Sequence, residues 1–121
     1  MEQASKLKRY DLEDRTFAFA KQCRNFVAKL PRIQANIEYS GQLIRSSGSQ
    51  AANYIEANEA ISKKDFFHRI KICRKESKES RLWLRLLICR PETVSEQEDL
   101  VQEAFELTKI FGSIVEKQNK I

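Results

Sequence analysis

Six basic residues in the second half of the chain recur at a spacing that suits one side of an α-helix. They are Lys71, Arg74, Lys75, Lys78, Arg81 and Arg85. Most of them follow one another by three or four positions, which brings side chains onto a common helical face. Ammonium and guanidinium groups are the usual protein contacts for phosphate, so the pattern predicts a cationic face that binds nucleic acid.

This face has a cost in helix stability. Three like-charge pairs lie four positions apart: Lys71 with Lys75, Arg74 with Lys78, and Arg81 with Arg85. Each pair costs about 0.2–0.5 kcal/mol in an isolated helix, and Glu76 and Glu79 relieve part of that cost. An anion opposite the face would explain why such pairs accumulate. The alternative is a solvated face, or one neutralised by acidic residues of a neighbour.

The residue types give little support for metal binding or for catalysis. The only histidine is His68, and the cysteines are not clustered at ligand spacing, so no metal or other cofactor is expected. The chain has no Gly-x-Ser-x-Gly turn and no phosphate loop, so no catalytic residues are predicted. Glu56 and Glu59 could pair for acid–base work, but helical surfaces often carry glutamates at that spacing. We therefore expect a protein that is not an enzyme.

A polar cluster is expected near the end of the second helix, formed by Asn53, Glu56 and Asn58. Buried polar groups must be paired and often fix how helices pack. We interpret the cluster as a buried hydrogen-bonding group that fixes helix register or ties the second helix to the third. The alternative interpretation is a ligand site.

The basic face lies on a long helix predicted from Ser62 to Arg90, with Ser62 and Asp65 as its capping pair and Pro91 as its stop. Its core stripe is Phe66, Ile70, Cys73, Ser77, Ser80, Leu84 and Leu87. Ser77 and Ser80 are small and hydroxylated. A partner helix must therefore come close there or supply hydrogen bonds to the two hydroxyl groups.

Three further amphipathic helices are predicted around it. Helix 1 starts at an Asp11 cap and ends at Pro31, and helix 4 starts at a Ser95–Glu98 capping box. Helix 2 is predicted to follow a cap at Asn36. Its predicted buried stripe is Ile37, Gly41, Ile44, Gly48, Ala51, Ile55 and Asn58. Glycine costs about 1 kcal/mol within a helix, so the glycines indicate close approach of a neighbouring helix. A glycine in helix 4, Gly112, indicates another close contact.

Four helices joined by short loops predict an all-α, up-and-down antiparallel four-helix bundle. We expect residues 1–10 to be a flexible N-terminal segment and residues 11–118 to form a single domain. The formal net charge of +5 favours anionic partners, although a soluble lysine-rich surface would also explain it. No segment is apolar enough for a membrane span or a signal peptide, and three scattered cysteines are typical of reduced thiols. A cytoplasmic protein is expected.

Several motifs resemble the bacterial family of 23S rRNA intervening-sequence proteins, also called four-helix bundle proteins. The matching segments are Gln42-Leu43-Ile44-Arg45-Ser46, Ala52-Asn53 with Glu56-Ala57, Lys64-Asp65-Phe66, Lys75-Glu76, and residues 79–87. The resemblance covers residues from about 10 to 111. The chain departs from many members at Asn53-Tyr54-Ile55-Glu56-Ala57, where they read Asn-Ile-Ala-Glu-Gly, which suggests a subgroup.

The resemblance implies a four-helix bundle that assembles as a ring-like homopentamer, with no catalytic residues. Residues 81–87 are similar to a related branch, the accessory variability determinant of diversity-generating retroelements, which binds a reverse transcriptase and nucleic acid. Five chains of +5 would give a ring of +25. Trp83 or Phe67 would be buried between its subunits. The leading hypothesis is an oligomer that binds RNA or DNA through the basic face. The alternative is an adaptor that docks a reverse transcriptase or another protein partner.

Overall fold

The computed structural model describes the backbone of residues 2–120 and the side chains of residues 12–119. The four long helices are α1 (Glu2–Val27), α2 (Gln34–Asn58), α3 (Lys63–Leu86) and α4 (Val94–Glu116). Short 3-10 helices at Pro91–Thr93 and Lys117–Lys120 flank α4, and the described residues include no strand. α1 already begins at Glu2, so Asp11 lies inside the helix and the prediction that it caps α1 is wrong. The expected flexibility of residues 1–10 stays a prediction.

The helices pack in a cycle, α1 on α2, α2 on α3, α3 on α4, and α4 back on α1. Contacts between neighbours pair early residues of one helix with late residues of the next. Between α2 and α3, Tyr39 stacks on Trp83, whereas Asn53 bonds to Arg69. The residue numbers of the contacts rise along α2 while they fall along α3, so the two helices are antiparallel. The prediction of an all-helical four-helix bundle is confirmed.

The core of the bundle holds aromatic and aliphatic side chains from all four helices. Its members include Phe19, Cys23, Phe26, Leu43, Ile70, Cys73, Leu84, Leu100, Ala104, Leu107 and Phe111. The predicted stripe of α3 is largely confirmed, because every member from Ile70 to Leu87 is buried, and Phe67 is buried more completely than Phe66. Burying such side chains contributes about 1.5–3 kcal/mol each, so this apolar interior stabilises the bundle.

The small hydroxylated middle of α3 meets an equally small part of α2. The Ser46 and Ser80 hydroxyl oxygens lie 2.7 Å apart, and both side chains are fully buried. The Ser80 hydroxyl also lies within hydrogen-bond distance, 2.9 Å, of the Glu76 carbonyl. The close approach expected at Ser80 is therefore present, while the Ser77 hydroxyl has no hydrogen-bond partner among the described residues.

The predicted buried stripe of α2 is wrong, because it faces outward. Ile37, Ile44 and Ile55 are each about half exposed, and a Cβ added at Gly41 or Gly48 would meet nothing within 4 Å. The residues that α2 buries are Asn36, Ser40, Leu43, Ser46, Ser47, Gln50 and Ala57. Several have polar partners on other segments, as in the 2.9 Å bond from the Gln50 amide to the Thr16 carbonyl. These tertiary bonds turn the apolar isoleucines toward the outside.

Asn36 is not the cap of α2. The helix begins at Gln34 after Ile33, which makes no side-chain cap, and Asn36 lies buried in its first turn. Its amide nitrogen donates to the carbonyls of Pro31 and Ile88, and its amide oxygen accepts from the Ile88 N–H. Asn36 thus fastens the chain after α3 to the connection between α1 and α2.

Two helix ends also differ from the prediction. α1 ends at Val27, before Pro31, and Leu30 bonds back to Val27 through a tight turn. α3 ends at Leu86 rather than Arg90. The Gln97 amide donates at 2.8 Å to the carbonyls of Leu84 and Leu87, so a side chain of α4 satisfies the end of α3 without a further turn.

The capping predictions for α3 and α4 have opposite outcomes. The Ser62 hydroxyl accepts from the Asp65 N–H at 3.0 Å, which confirms the predicted cap. α4 begins earlier than predicted, at Val94 after the 3-10 turn, so Ser95 lies inside its first turn and caps nothing. Thr93 occupies the cap position without a side-chain cap bond.

These two serines give a matched test of the fold. Ser62→Ala should lower the free energy of unfolding by about 1 kcal/mol, because it removes an N-cap acceptor. Ser95→Ala should change it by less than about 0.5 kcal/mol, as expected for an exposed residue outside such features. Urea denaturation of both variants measures the difference. An equal loss in the two variants would contradict the cap assignment.

Candidate nucleic-acid interface

The structure brings all six predicted basic residues to one groove along α3. The groove has a volume of about 580 Å³. It is lined by Lys71, Arg74, Lys75, Lys78, Glu79, Arg81, Leu82 and Arg85. We call it the basic groove. It extends over fourteen residue steps of α3, or roughly 21 Å at 1.5 Å per residue.

Glu76 of α3 lies outside the basic groove, whereas Glu79 is one of its lining residues. Glu76 and Glu79 lie near α2, where Arg45 approaches them at 3.6 and 3.5 Å. The other ion pairs among residues 12–119 join Arg15 to Glu103 and Glu106, and Lys29 to Glu96. None of the six cations of the groove takes part in an ion pair within the described residues. The carboxylates of residues 12–119 therefore do not neutralise these cations, and the alternative that stays open is a solvated face.

The edge of α4 supplies groups that the sequence reasoning missed. The Arg81 guanidinium and the Lys109 ammonium each lie 5.2 Å from the centroid of the Phe105 ring. Both distances are within the range of cation–π attraction. Phe105 and Lys109 are four positions apart, which could have indicated their shared face, but only the packing of α3 on α4 brings Arg81 to the same ring.

Gly112 of α4 lies beside the side chain of Arg74, but a Cβ would fit there at an ordinary contact distance, so the close helix approach expected from this glycine is absent. A Cβ built there would lie 3.6 Å from Nε of Arg74. The stem of Arg74 therefore lies along the surface of α4 at the glycine. This contact directs the first arginine of the groove toward the α3–α4 boundary, as the ring of Phe105 does for Arg81.

The polar cluster of α2 comes together only in part. The Asn53 amide oxygen accepts from the Arg69 guanidinium at 2.9 Å, and the amide nitrogen donates to the Ser49 carbonyl at 3.0 Å. Asn53 thus ties α2 to α3 as expected. Glu56 and Asn58 are exposed, and Asn58 bonds instead to Glu13 of α1. The prediction that the three residues form a buried cluster is wrong, because the last turn of α2 reaches the end of the bundle.

A second surface hollow surrounds the α2–α3 connection. Glu56, Glu59, Asp65, His68 and Arg69 line it together with Ala60 and Ile61. Across the described residues, no three histidine, cysteine, aspartate or glutamate side chains are grouped as a metal ion would require. The described helices also lack any segment that is long and apolar enough to cross a membrane.

Phe67 and Trp83, which the family resemblance places between subunits, are largely covered within the single chain. Phe67 is buried within the chain, and Trp83 is half-buried with its ring stacked 5.8 Å from that of Tyr39. The bundle itself therefore covers most of both residues. The large apolar side chains that stay exposed lie elsewhere, among them Phe17 of α1 and the outward isoleucines of α2.

Comparison with known proteins agrees with this architecture. The family model described as 23S rRNA-intervening sequence protein matches residues 8–113 of the chain. The chain is also similar to a crystal structure of a protein with unknown function from the S23 ribosomal protein family of Bacteroides thetaiotaomicron VPI-5482, at 34% sequence identity and a TM-score of 0.73. That similarity covers 85% of this chain and 96% of the other. None of the curated proteins matches the chain. The resemblance seen in the sequence is confirmed.

The cysteines are poorly placed for nucleophilic chemistry. Cys23 and Cys73 are fully buried, and burial raises the pKa of each thiol to about 12. Cys89 is half-buried and donates a hydrogen bond to the Gln97 amide oxygen at 3.2 Å. Since the thiolate is the reactive form, the two core thiols are inert while the bundle is folded.

Thiol modification tests this arrangement. At pH 8 a thiol reagent should label only Cys89 in the folded protein, and all three cysteines after unfolding. Cys89→Ser should abolish labelling of the folded protein. Rapid labelling of Cys23 or Cys73 before unfolding would contradict the packing.

The raised pKa values of Cys23 and Cys73 also predict how the stability of the fold depends on pH. The stability that the two neutral thiols contribute is complete below about pH 9 and is lost as pH rises toward 12, because the thiols of the unfolded chain ionise first.

Proposed function

Because the chain belongs to the family of 23S rRNA-intervening sequence proteins, we propose that it is a non-enzymatic, oligomeric bundle protein that binds RNA through the basic groove of α3. The observation that carries the proposal is the convergence of six cations on one groove, with no ion pair to any of them among residues 12–119. Such a groove attracts a polyanion and holds its phosphates.

The size of the groove suggests how much nucleic acid one chain contacts. Its length of roughly 21 Å compares with a rise of about 3.4 Å per nucleotide along one strand, which corresponds to roughly six nucleotides. The groove presents cations rather than paired hydrogen-bonding groups for base edges. Contacts of this kind position a nucleic acid and give affinity, but they do not read its sequence.

Assembly is the second part of the proposal. The outward residues Ile37, Gly41, Ile44, Gly48 and Ile55 form an apolar strip along α2, which we call the outer stripe. Phe17 of α1, 64% exposed, lies beside it in a hollow shared with Ile44 and Gly48. Exposed contiguous apolar surface is typical of protein interfaces. We propose that a second copy of the chain covers the outer stripe, in a ring for which the family resemblance suggests five subunits.

A protein partner is the alternative occupant of the basic groove. Leu82 lies within the groove and is 47% exposed, and Leu86 and Ile88 are exposed beyond it. Apolar side chains among cations suit an acidic segment with hydrophobic residues, such as part of a reverse transcriptase. This alternative predicts a complex that survives ribonuclease treatment and competes with RNA for the groove.

RNA binding and its response to salt test the leading proposal. If all six cations contact phosphates, log K should fall against log salt with a slope of about −4 for single strands or −5 for duplexes. Arg74→Glu with Lys78→Glu should weaken binding by about tenfold or more at 100 mM salt and make the slope shallower, because two phosphate contacts are lost. Fluorescence anisotropy with a labelled RNA measures both quantities.

The control is Lys63→Glu with Lys64→Glu, which makes the same change of charge on the same helix outside the groove. Both lysines are exposed, so this variant should keep most of the affinity. Equal losses in the two double variants would mean that net charge, and not the groove, attracts RNA. A flat salt response, or binding unaffected by the Arg74 and Lys78 changes, would refute the proposal.

The outer stripe is tested separately by light scattering. The wild-type protein should have a multiple of the 14.2 kDa chain mass, and Ile44→Asp with Ile55→Asp should reduce it to the monomer. Both side chains are half exposed in the chain, so the bundle should stay folded by circular dichroism. Ile61→Asp is the matched control, because Ile61 is 95% exposed and lies outside the stripe. A monomeric wild type at micromolar concentration would contradict the assembly.

A further inference from the structure

Phe105 of α4 is 40% exposed and stands beside the basic groove with two cations close to its ring. Arg81, which lines the groove, and Lys109, which does not, lie equally near the ring centroid, at 5.2 Å. The two positive groups are therefore no farther apart than twice that distance. Like charges repel, and no carboxylate among the described residues forms an ion pair with either one.

The ring, and not a hydrogen-bond acceptor, fixes the guanidinium of Arg81. Its Nε is buried and has no hydrogen-bond partner among the described residues. A buried N–H without an acceptor is unfavourable, so the guanidinium would normally turn toward a carboxylate or carbonyl. The attraction of the cation to the face of Phe105 offsets part of that cost.

We propose that Phe105 is a positioning residue that holds Arg81 and Lys109 for one phosphate group of RNA, so that the binding site extends from α3 onto α4. A phosphate has several acceptor oxygens and can bond to a guanidinium and an ammonium at once. Its charge would relieve the repulsion between the two cations. Arg74, which lies along α4 at Gly112, continues the same boundary toward the other end of the groove. This inference rests on the proposed function, because it names further residues of the same site.

Three substitutions test the role of the ring. Phe105→Leu keeps an apolar side chain but removes the π face, and should weaken RNA binding by about three- to tenfold because two cation–π contacts are lost. Phe105→Tyr keeps the face and should bind within about twofold of wild type. Lys109→Gln should make the salt slope shallower by about 0.7 to 0.9, the change expected for one phosphate contact, whereas Lys63→Gln should leave it unchanged.

The salt slope distinguishes positioning from a structural role. A variant that is only less stable binds with a smaller active fraction, but the slope of its remaining fraction is that of wild type. Phe105→Leu should lower the slope as Lys109→Gln does, and the double variant should lose less than the sum of the single losses. Melting curves for each variant check that the bundle is folded at the temperature of the assay.

The outcomes separate the two proposals. If Arg74→Glu with Lys78→Glu weakens RNA binding while Phe105→Leu and Lys109→Gln bind as wild type with an unchanged slope, the extension onto α4 is wrong and the basic groove stands. If the groove variant itself binds RNA normally, the proposed function is wrong. Loss of affinity and slope in Phe105→Leu, with recovery in Phe105→Tyr, supports the positioning role.

Discussion

The close contact between α2 and α3 at Ser46 and Ser80 is the constraint on which the other features depend. Two fully buried hydroxyl groups lie 2.7 Å apart, so the two helices come close together at these small residues. Serine allows the approach and also supplies the hydrogen bond that a buried polar group requires. The contact fixes how α3 is rotated in the bundle, and that rotation decides which of its side chains face α2 and which face α4.

The distribution of charge follows from this rotation. On the α2 side of α3, Glu76 and Glu79 lie near Arg45, which belongs to the other helix. The basic groove lies along α3 near α4, where Arg74 and Arg81 approach Gly112 and Phe105. Surface ion pairs contribute little stability, so the pairs with Arg45 matter mainly because they occupy the two glutamates and leave the cations of the groove unpaired. Glu76 and Glu79 pair with Arg45, although Glu79 also lines the groove, and the cations of the groove have no ion-pair partner among the described residues.

The two surfaces for which we propose partners lie on different sides of the bundle. The outer stripe faces the α1 side of α2, as its shared hollow with Phe17 indicates, whereas the groove and Phe105 lie along α3 and α4. An assembly that covered the stripe would leave the groove open to a polyanion. Each added subunit would also add its net positive charge to the field around the assembly.

The sequence by itself determined the helical class, the cationic face of α3 and most of the α3 core. These features rest on periodicity within one helix, where spacing alone decides which side chains share a face.

The buried face of α2 was predicted wrongly for a physical reason. Its isoleucines and glycines form one regular stripe, and Leu43, Ser46, Ser47 and Gln50 form another, and hydrophobicity favours the first. Burial follows the second because the partners of Ser46 and Gln50 lie on α3 and α1. The meeting of Arg81 with Phe105, the two bonds of Asn36 to Ile88 and the early end of α3 are likewise contacts between distant segments. Only the packing of the helices, which brings such segments together, could decide them.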